Sequence, residues 1–145
     1  MRVLSPLSLA RRLLIVAVIV AASVFFGRDV IASALVARAD AVMYTPAGAS
    51  GARTYVDRAR IFDPTYPPAA QRLAKLALQT KTPADVAAAL PVVAAALERS
   101  PHDEYLHMGY AQLLFADHNY RDAATSWASL SDEYPATPLY RGWAA

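Results

Sequence analysis

Residues 103–135 constrain the fold most, because they predict two amphipathic helices joined by a three-residue polar break. The helices are expected over about residues 103–116 and 120–133, with a proline just beyond the second. In the second helix a small residue is followed four positions later by an aromatic residue, and three positions after that by an apolar residue. The proline comes five positions further on. These residues are Ala123, Trp127, Leu130 and Pro135. The pattern predicts a tight helical hairpin, because the small side chain permits close helix approach and proline ends the unit.

The same steps recur twice upstream. Counted back from Pro101 and from Pro64, they give two further sets of small and apolar residues. The sets are Ala89, Val93 and Ala96 before Pro101, and Ala52, Val56 and Ala59 before Pro64. Pro101 and Pro135 are 34 residues apart, whereas Pro64 and Pro101 are 37 apart, so one unit carries three extra residues. The chain therefore predicts about three copies of one helical hairpin.

This spacing resembles that of the tetratricopeptide repeat (TPR) family over residues 33–135. The last unit matches best, with Tyr110 in its first helix and Tyr120 opening its second, although Ala111 stands where the family commonly has glycine. The middle unit has Pro91 inside its second helix, which we expect to kink that helix rather than end it. The resemblance implies an all-α fold with a short α-solenoid of about three TPR-like hairpins. An ordinary small helical bundle is the alternative.

The N-terminus predicts a membrane segment. Residues 1–12 hold three arginines and no acid, and residues 13–27 hold no charge. Fifteen helical residues span only about 22 Å, which is shorter than a hydrocarbon core of about 30 Å. We therefore expect the membrane helix to extend to residue 36, with Arg28 and Asp29 near the outer interface. Arginines before such a run stay in the cytoplasm. The predicted parts are a cytoplasmic N-terminus (1–12), a transmembrane signal-anchor helix (13–36) and an extracytoplasmic TPR-like helical domain (37–145).

Two features of this segment concern where the helix ends and whether the segment is cleaved. No helix breaker occurs from Gly27 to Tyr44, so the membrane helix is expected to continue as the first helix of the repeat array. Ala32 and Ala34 form a small-x-small site at which a signal peptidase could cut, which makes a cleaved signal peptide the alternative to a retained anchor.

No constellation in the sequence predicts catalysis. There is no cysteine, and the three histidines, at positions 102, 107 and 118, have neither metal-ligand spacing nor a catalytic motif around them. The basic residues between positions 50 and 81 are neither clustered on one helix nor interleaved with aromatics, so no nucleic-acid site is expected. We predict a protein that is not an enzyme and has no cofactor, metal or small-molecule substrate. Its expected partners are other membrane or periplasmic proteins and membrane lipid.

The TPR resemblance implies a concave groove, lined by the first helix of each unit, that suits a peptide or another helix. The residues at the matching positions are Gln71, Lys75, Gln79, Tyr105, Met108 and Gln112. Leu78 and Phe115 map to the same surface. The competing interpretation makes Leu78, Met108 and Phe115 ordinary core residues, and for Phe115 we expect the core.

Two further contact sites are predicted. Tyr140 and Trp143 lie at a C-terminal end that has no polar capping helix, so exposed aromatics there favour a docked partner. The alternative is that both fold back on Trp127. Along the membrane helix, small residues permit close packing against another helix, and the chosen positions are Ala17, Ala21 and Gly27.

Together these features predict a single-pass inner-membrane protein with its N-terminus in the cytoplasm and its C-terminal domain in the periplasm. Its predicted role is to scaffold, assemble or stabilise a larger membrane protein complex through protein–protein contacts. One alternative is an accessory structural subunit of a respiratory, photosynthetic or secretion complex, docked mainly through its membrane helix. A second is a secreted soluble repeat protein that remains after signal-peptide cleavage.

Overall fold

Helices supply all the regular structure in the computed structural model, which describes residues 6–45 and 48–144. Seven helices follow one another in these ranges, which contain no strand, so the predicted all-α class is confirmed. The helices are α1 (Pro6–Met43), α2 (Gly48–Phe62), α3 (Pro67–Thr80), α4 (Pro83–Arg99), α5 (Glu104–Ala116), α6 (Tyr120–Glu133) and α7 (Pro138–Ala144).

The helix ends follow from local chemistry. The Thr82 side chain accepts a hydrogen bond from the Asp85 backbone N–H and so caps α4. Asp103 caps α5 in the same way, at 3.0 Å from the Leu106 nitrogen. Pro91 lies within α4 and does not end it, as predicted.

The start of α2 differs from what local composition indicates. One proline and two glycines within residues 45–51 favour a loop as far as Gly51, yet α2 begins at Gly48, whose φ is 48°. Ala49 packs against the core, and that packing overrides the weak helix propensity of the two glycines.

The helices pack as a row of hairpins. Each of α1, α3 and α5 contacts the helix that follows it, and α6 contacts α7. The first helices of successive hairpins also touch, α1 with α3 and α3 with α5. Contacts of α2 with α3 and of α4 with α5 join each hairpin to the next.

The second helix of each hairpin buries the residues that the repeating steps had marked. All nine predicted positions are buried, and they are Ala52, Val56, Ala59, Ala89, Val93, Ala96, Ala123, Trp127 and Leu130. The register predicted for these three helices is therefore confirmed. The core around the first two sets is rich in alanine, so the helices lie close together.

Helix α1 is much longer than the others, with 38 residues and a length of about 57 Å. Its stretch Ala10–Met43 is long and apolar enough to cross a membrane, and none of the apolar window within it is buried. Toward its C-terminal end, Ala32, Val36 and Ala39 are buried against the neighbouring helices. The helix continues without a break through residues 36 and 37, where we had divided membrane helix from domain.

Side-chain hydrogen bonds between separate helical units recur at sequence separations of 31 to 36 residues. These separations are close to the 34 and 37 residues that separate the prolines of successive predicted units. The bonded pairs are Arg28–Phe62, Asp40–Arg72, Arg53–Asp85, Asp63–Arg99, Thr65–Arg99, Gln71–Asp103, His102–Glu133, His102–Tyr134 and Glu104–Tyr140. Side-chain bonds thus tie neighbouring units together along the row.

Candidate partner-binding groove

Helices α3 and α5 each turn one face to the core and leave another for a groove. On α3, Leu73, Leu76 and Ala77 are buried, whereas Lys75 and Gln79, four residues apart, share the exposed face. On α5, Leu106, Gly109 and Leu113 are buried, whereas Tyr105 and Gln112 are exposed. The amphipathic pattern of both helices therefore creates the groove.

All six predicted groove residues line one cavity of about 400 Å³ between α3 and α5. The structure thus brings together Gln71, Lys75, Gln79, Tyr105, Met108 and Gln112. The cavity is also lined by Leu78 and by Arg72, Ala74 and Gly109, which the sequence analysis had not selected. The binding role of these residues stays a prediction.

Close contact between α3 and α5 sets the floor of this cavity. A Cβ atom added to Gly109 would lie 3.3 Å from the Ala74 Cβ. This distance is shorter than an ordinary van der Waals contact, so the absent side chain of Gly109 lets the two helices approach. The alanine-rich sequence gave no signal that singled out this pair.

A hydrogen bond fixes the two walls relative to one another. The Gln71 amide nitrogen lies 3.0 Å from each carboxylate oxygen of Asp103, the residue that caps α5. On the opposite side Arg72 forms an ion pair with Asp40 of α1, and hydrogen bonding to that carboxylate raises the pKa of Arg72. These links hold α3 between its neighbours, so the groove is formed before any partner arrives.

A second, larger cavity of about 690 Å³ adjoins the first, and Leu78 and Gln112 belong to both. Its lining is mostly apolar and comes from α3, α4, α5, α6 and α7. The remaining residues that line it are Lys81, Pro83, Val86, Phe115, Ala116, His118, Trp127 and Trp143. Our expectation of a core position for Phe115 is wrong, because 49% of its surface is exposed and it lines this cavity.

The two C-terminal aromatics do not share one environment. Tyr140 is buried, with 4% of its surface exposed, so our expectation that it is exposed is wrong. Its ring stacks on Trp127 at 5.7 Å between centroids, and its hydroxyl donates to Glu104 Oε1 at 2.5 Å. This packing shields Tyr140 from solvent, and burial together with the Glu104 carboxylate raises its pKa to about 12.

Trp143 is half exposed, as predicted. Its ring stacks on Trp127 at 5.8 Å and meets the edge of Phe115 at 5.9 Å. Both residues therefore fold back on Trp127, as the predicted alternative has it. Tyr140 is buried by this packing, whereas only one face of Trp143 is covered. The other part of Trp143 lines the larger cavity and can contact a ligand.

The charges in the two cavities have one sign. Arg72, Lys75 and Lys81 line them, and no aspartate or glutamate does. Arg72 is neutralised by its ion pair with Asp40, whereas the structure shows no ion pair for either lysine within the described residues. The groove is thus a mildly cationic surface with an apolar end.

The residues predicted for membrane-helix packing lie on α1. Ala17 and Ala21 are exposed and four residues apart, so they share one face of the helix. Gly27 is half-buried, and a Cβ added there would meet no atom within 4 Å. All three positions leave room for another helix.

The histidines lie apart and bind neighbouring groups. His102 Nδ1 is 2.7 Å from Glu133 Oε1, His107 Nε2 is 2.6 Å from the Pro101 carbonyl, and His118 Nδ1 is 2.8 Å from the Tyr120 hydroxyl. Within residues 6–45 and 48–144, no group of three or more histidine or acidic residues is placed to hold a metal ion.

Comparisons with protein-family models, curated proteins and solved structures found no match to this chain. The candidate site therefore rests on its own geometry.

Proposed function

We propose that the chain is a non-catalytic, membrane-anchored TPR-like protein that scaffolds, assembles or stabilises a larger membrane protein complex. The observation that carries this proposal is the groove, in which two adjoining cavities run from Gln71 on α3 to Trp143 on α7. A groove with a polar end and an apolar end suits a peptide or helix with one polar and one apolar side.

The TPR-like assignment is supported by buried positions and side-chain bonds that recur from one hairpin to the next. The buried positions repeat in α2, α4 and α6, and side-chain bonds recur at separations of 31 to 36 residues. In such arrays each unit contacts mainly its neighbours, and the first helices line the concave side. In the proposed array, α3 and α5 are the first helices that line this side.

The lining also defines the chemistry of the partner. Lys75 and Lys81 favour acidic side chains, and the apolar end between Phe115 and Trp143 favours an aromatic or aliphatic anchor. Trp127 has a buried indole N–H with no acceptor among the described residues. We therefore expect an acidic segment with at least one large apolar residue.

The membrane part of the proposal rests on α1. Its exposed apolar stretch is long enough to cross a bilayer, and arginines precede the uncharged run. The proposed topology keeps the N-terminus in the cytoplasm and the α2–α7 region in the periplasm.

The deciding experiment isolates the tagged full chain from membranes in mild detergent and reads its intact mass in the same sample. A full-length chain that brings down a stoichiometric set of membrane proteins supports the proposal. A chain about 34 residues short, recovered alone from the soluble fraction, contradicts it and supports the secreted alternative.

The second candidate function is an accessory subunit docked through α1. The exposed small residues Ala17 and Ala21 favour it, because they leave room for close helix packing. Matched variants separate the two roles. Loss of partners with Tyr105→Ala or Gln112→Ala supports the groove, whereas loss only with Ala17→Leu or Ala21→Leu supports the membrane helix.

A further inference from the structure

A polar cavity of about 340 Å³ lies beside α1, directly after its uncharged stretch. Its lining contains two arginines and two aspartates and is therefore formally neutral. The residues are Arg28, Asp29, Asp63, Thr65 and Arg99. Charges at this position meet the outer surface of the bilayer if α1 crosses it as proposed.

One side of this cavity is fixed by Asp63, which is buried. One carboxylate oxygen accepts hydrogen bonds from the Thr65 backbone and hydroxyl, at 3.1 and 3.2 Å. The other pairs with Nη1 of Arg99. Both oxygens are thus occupied, so Asp63 serves to hold the Arg99 guanidinium at the cavity.

The other two charged residues of the lining, Arg28 and Asp29, form no ion pair within the described residues. Arg28 donates from Nε to the Phe62 carbonyl at 2.6 Å, which orients its guanidinium. Asp29 is half-buried and attracts the Arg99 guanidinium electrostatically, but no hydrogen bond of the described residues involves its carboxylate. Its oxygens can therefore accept hydrogen bonds from the cationic group of a ligand whose anionic group lies at the arginines.

Two exposed apolar side chains lie close in sequence to Arg28 and Asp63 of the cavity. Phe26 precedes Arg28 on α1 and is 67% exposed, and Ile61 precedes Phe62 at the end of α2 and is 76% exposed. The contact between Arg28 and Phe62 brings these two helices together here. Exposed aliphatic and aromatic groups next to a charged cavity fit the boundary between acyl chains and headgroups.

We propose that this cavity binds the phosphoethanolamine headgroup of a membrane lipid, with Arg28 and Arg99 at the phosphate and Asp29 accepting hydrogen bonds from the ammonium. The inference rests on the proposed membrane anchoring of α1. The neutral lining matches a zwitterion. A choline headgroup has no N–H to donate to Asp29, and a glycerol headgroup has no cation for it, so both bind more weakly.

The test uses the full chain in mild detergent and native mass spectrometry. Phosphatidylethanolamine, phosphatidylcholine and phosphatidylglycerol with identical acyl chains are titrated separately. We expect one tightly bound phosphatidylethanolamine, with a Kd at least about tenfold lower than that of either other lipid. Tenfold is about the change in Kd expected when one charge-assisted hydrogen bond is lost. Arg28→Gln removes this binding, and Asp29→Asn reduces it to the level of the choline lipid. Arg38→Gln, a matched change further along α1 and outside the cavity, leaves it intact.

Three outcomes overturn the inference. Equal binding of the three lipids to the unchanged chain shows a non-specific lipid shell only. Preference that survives both Arg28→Gln and Asp29→Asn, in variants whose circular dichroism is unchanged, shows a different site. Displacement by equimolar glycerophosphoethanolamine shows a soluble phosphoethanolamine ligand instead. A chain that is soluble and shortened contradicts the membrane proposal itself and is recognised by its mass before any lipid is added.

Discussion

The carboxylate of Asp63, at the end of α2, pairs with the guanidinium of Arg99, at the end of α4, 36 residues further along the chain. The pair joins the C-terminal ends of two successive second helices. The same edge of the molecule carries the pair of His102 and Glu133, one unit further on. Polar links therefore repeat along one edge, while the alanine-rich core lies between the helices.

Replacing Asp63 with asparagine should destabilise the fold. The change removes the ion pair with Arg99 and places an amide where Thr65 donates two hydrogen bonds. We expect the free energy of unfolding to fall by about 1 to 3 kcal/mol, measured by denaturant titration of the full chain in mild detergent. Asp57→Asn is the matched control, because Asp57 is exposed and its pairs lie within one helix, so its effect should stay within about 0.5 kcal/mol. Equal effects would contradict the assigned role of Asp63.

The contribution of Asp63 should depend on pH in one direction. Burial alone raises the pKa of Asp63, but the hydrogen bonds from Arg99 and Thr65 outweigh it and hold the pKa below its usual 3.8. A lowered folded-state pKa gives stability that is present above about pH 4 and is lost as the pH falls through the folded-state value. The stability difference between the unchanged chain and Asp63→Asn should thus be constant above about pH 5 and shrink below about pH 4. The pKa of Asp85 is also lowered, mainly by the hydrogen bond that its carboxylate accepts from Thr82. Because Asp85 is present in both proteins, its contribution cancels in the stability difference.

A bulky side chain at Gly109 should separate α3 from α5. Because an added Cβ would already lie 3.3 Å from the Ala74 Cβ, Gly109→Val overpacks this contact. We expect a loss of about 1 to 3 kcal/mol in the free energy of unfolding. Gly142→Val is the control in α7, where an added Cβ meets no atom within 4 Å. If both substitutions have the same effect, the close approach at Gly109 does not contribute to packing.

The hydroxyl of Tyr140 should titrate at a higher pH than an ordinary tyrosine hydroxyl. Burial and the bond to Glu104 raise its pKa to about 12, so its stabilising effect is full below about pH 10 and is lost as the pH rises toward 12. Absorbance at 295 nm should show a late ionisation that is smaller by one tyrosine in Tyr140→Phe; Tyr134, whose pKa is also raised, contributes to the remainder. Tyr120→Phe, at an exposed position, should leave the size of the late step unchanged. A late step of the same size in Tyr140→Phe and in the unchanged chain would contradict the burial of this hydroxyl.

Sequence periodicity predicted the register of α2, α4 and α6 because each helix is long enough for one face to be distinguished, and a proline follows each. The resemblance to the TPR family, rather than periodicity, indicated the six groove residues, and all six line one cavity. Periodicity could not assign Tyr140, because the seven residues of α7 span two turns and the face is chosen by Trp127 and Glu104 from other helices. Nor could it place the start of α2, since local propensity at Gly48 says nothing about how Ala49 packs.

Trp143 offers the sharpest test of the apolar end of the groove. Half of its surface is exposed in the larger cavity, and aromatic anchors in such cavities contribute most to binding at interfaces. We therefore expect Trp143→Ser to lower partner recovery at least about tenfold in pull-downs from detergent-solubilised membranes. Tyr120→Ser is the matched control, because Tyr120 is equally exposed and also contacts Phe115 but does not line the cavity.

The stacking of Trp143 on Trp127 has to be separated from this binding role, since its loss could loosen α7. The late ionisation of Tyr140 reports the packing of α7 independently of any partner. A Trp143→Ser chain that keeps this ionisation and loses its partners supports the groove. If the chain keeps both, the apolar end does not bind the partner, and the Ala17 and Ala21 face of α1 becomes the stronger candidate.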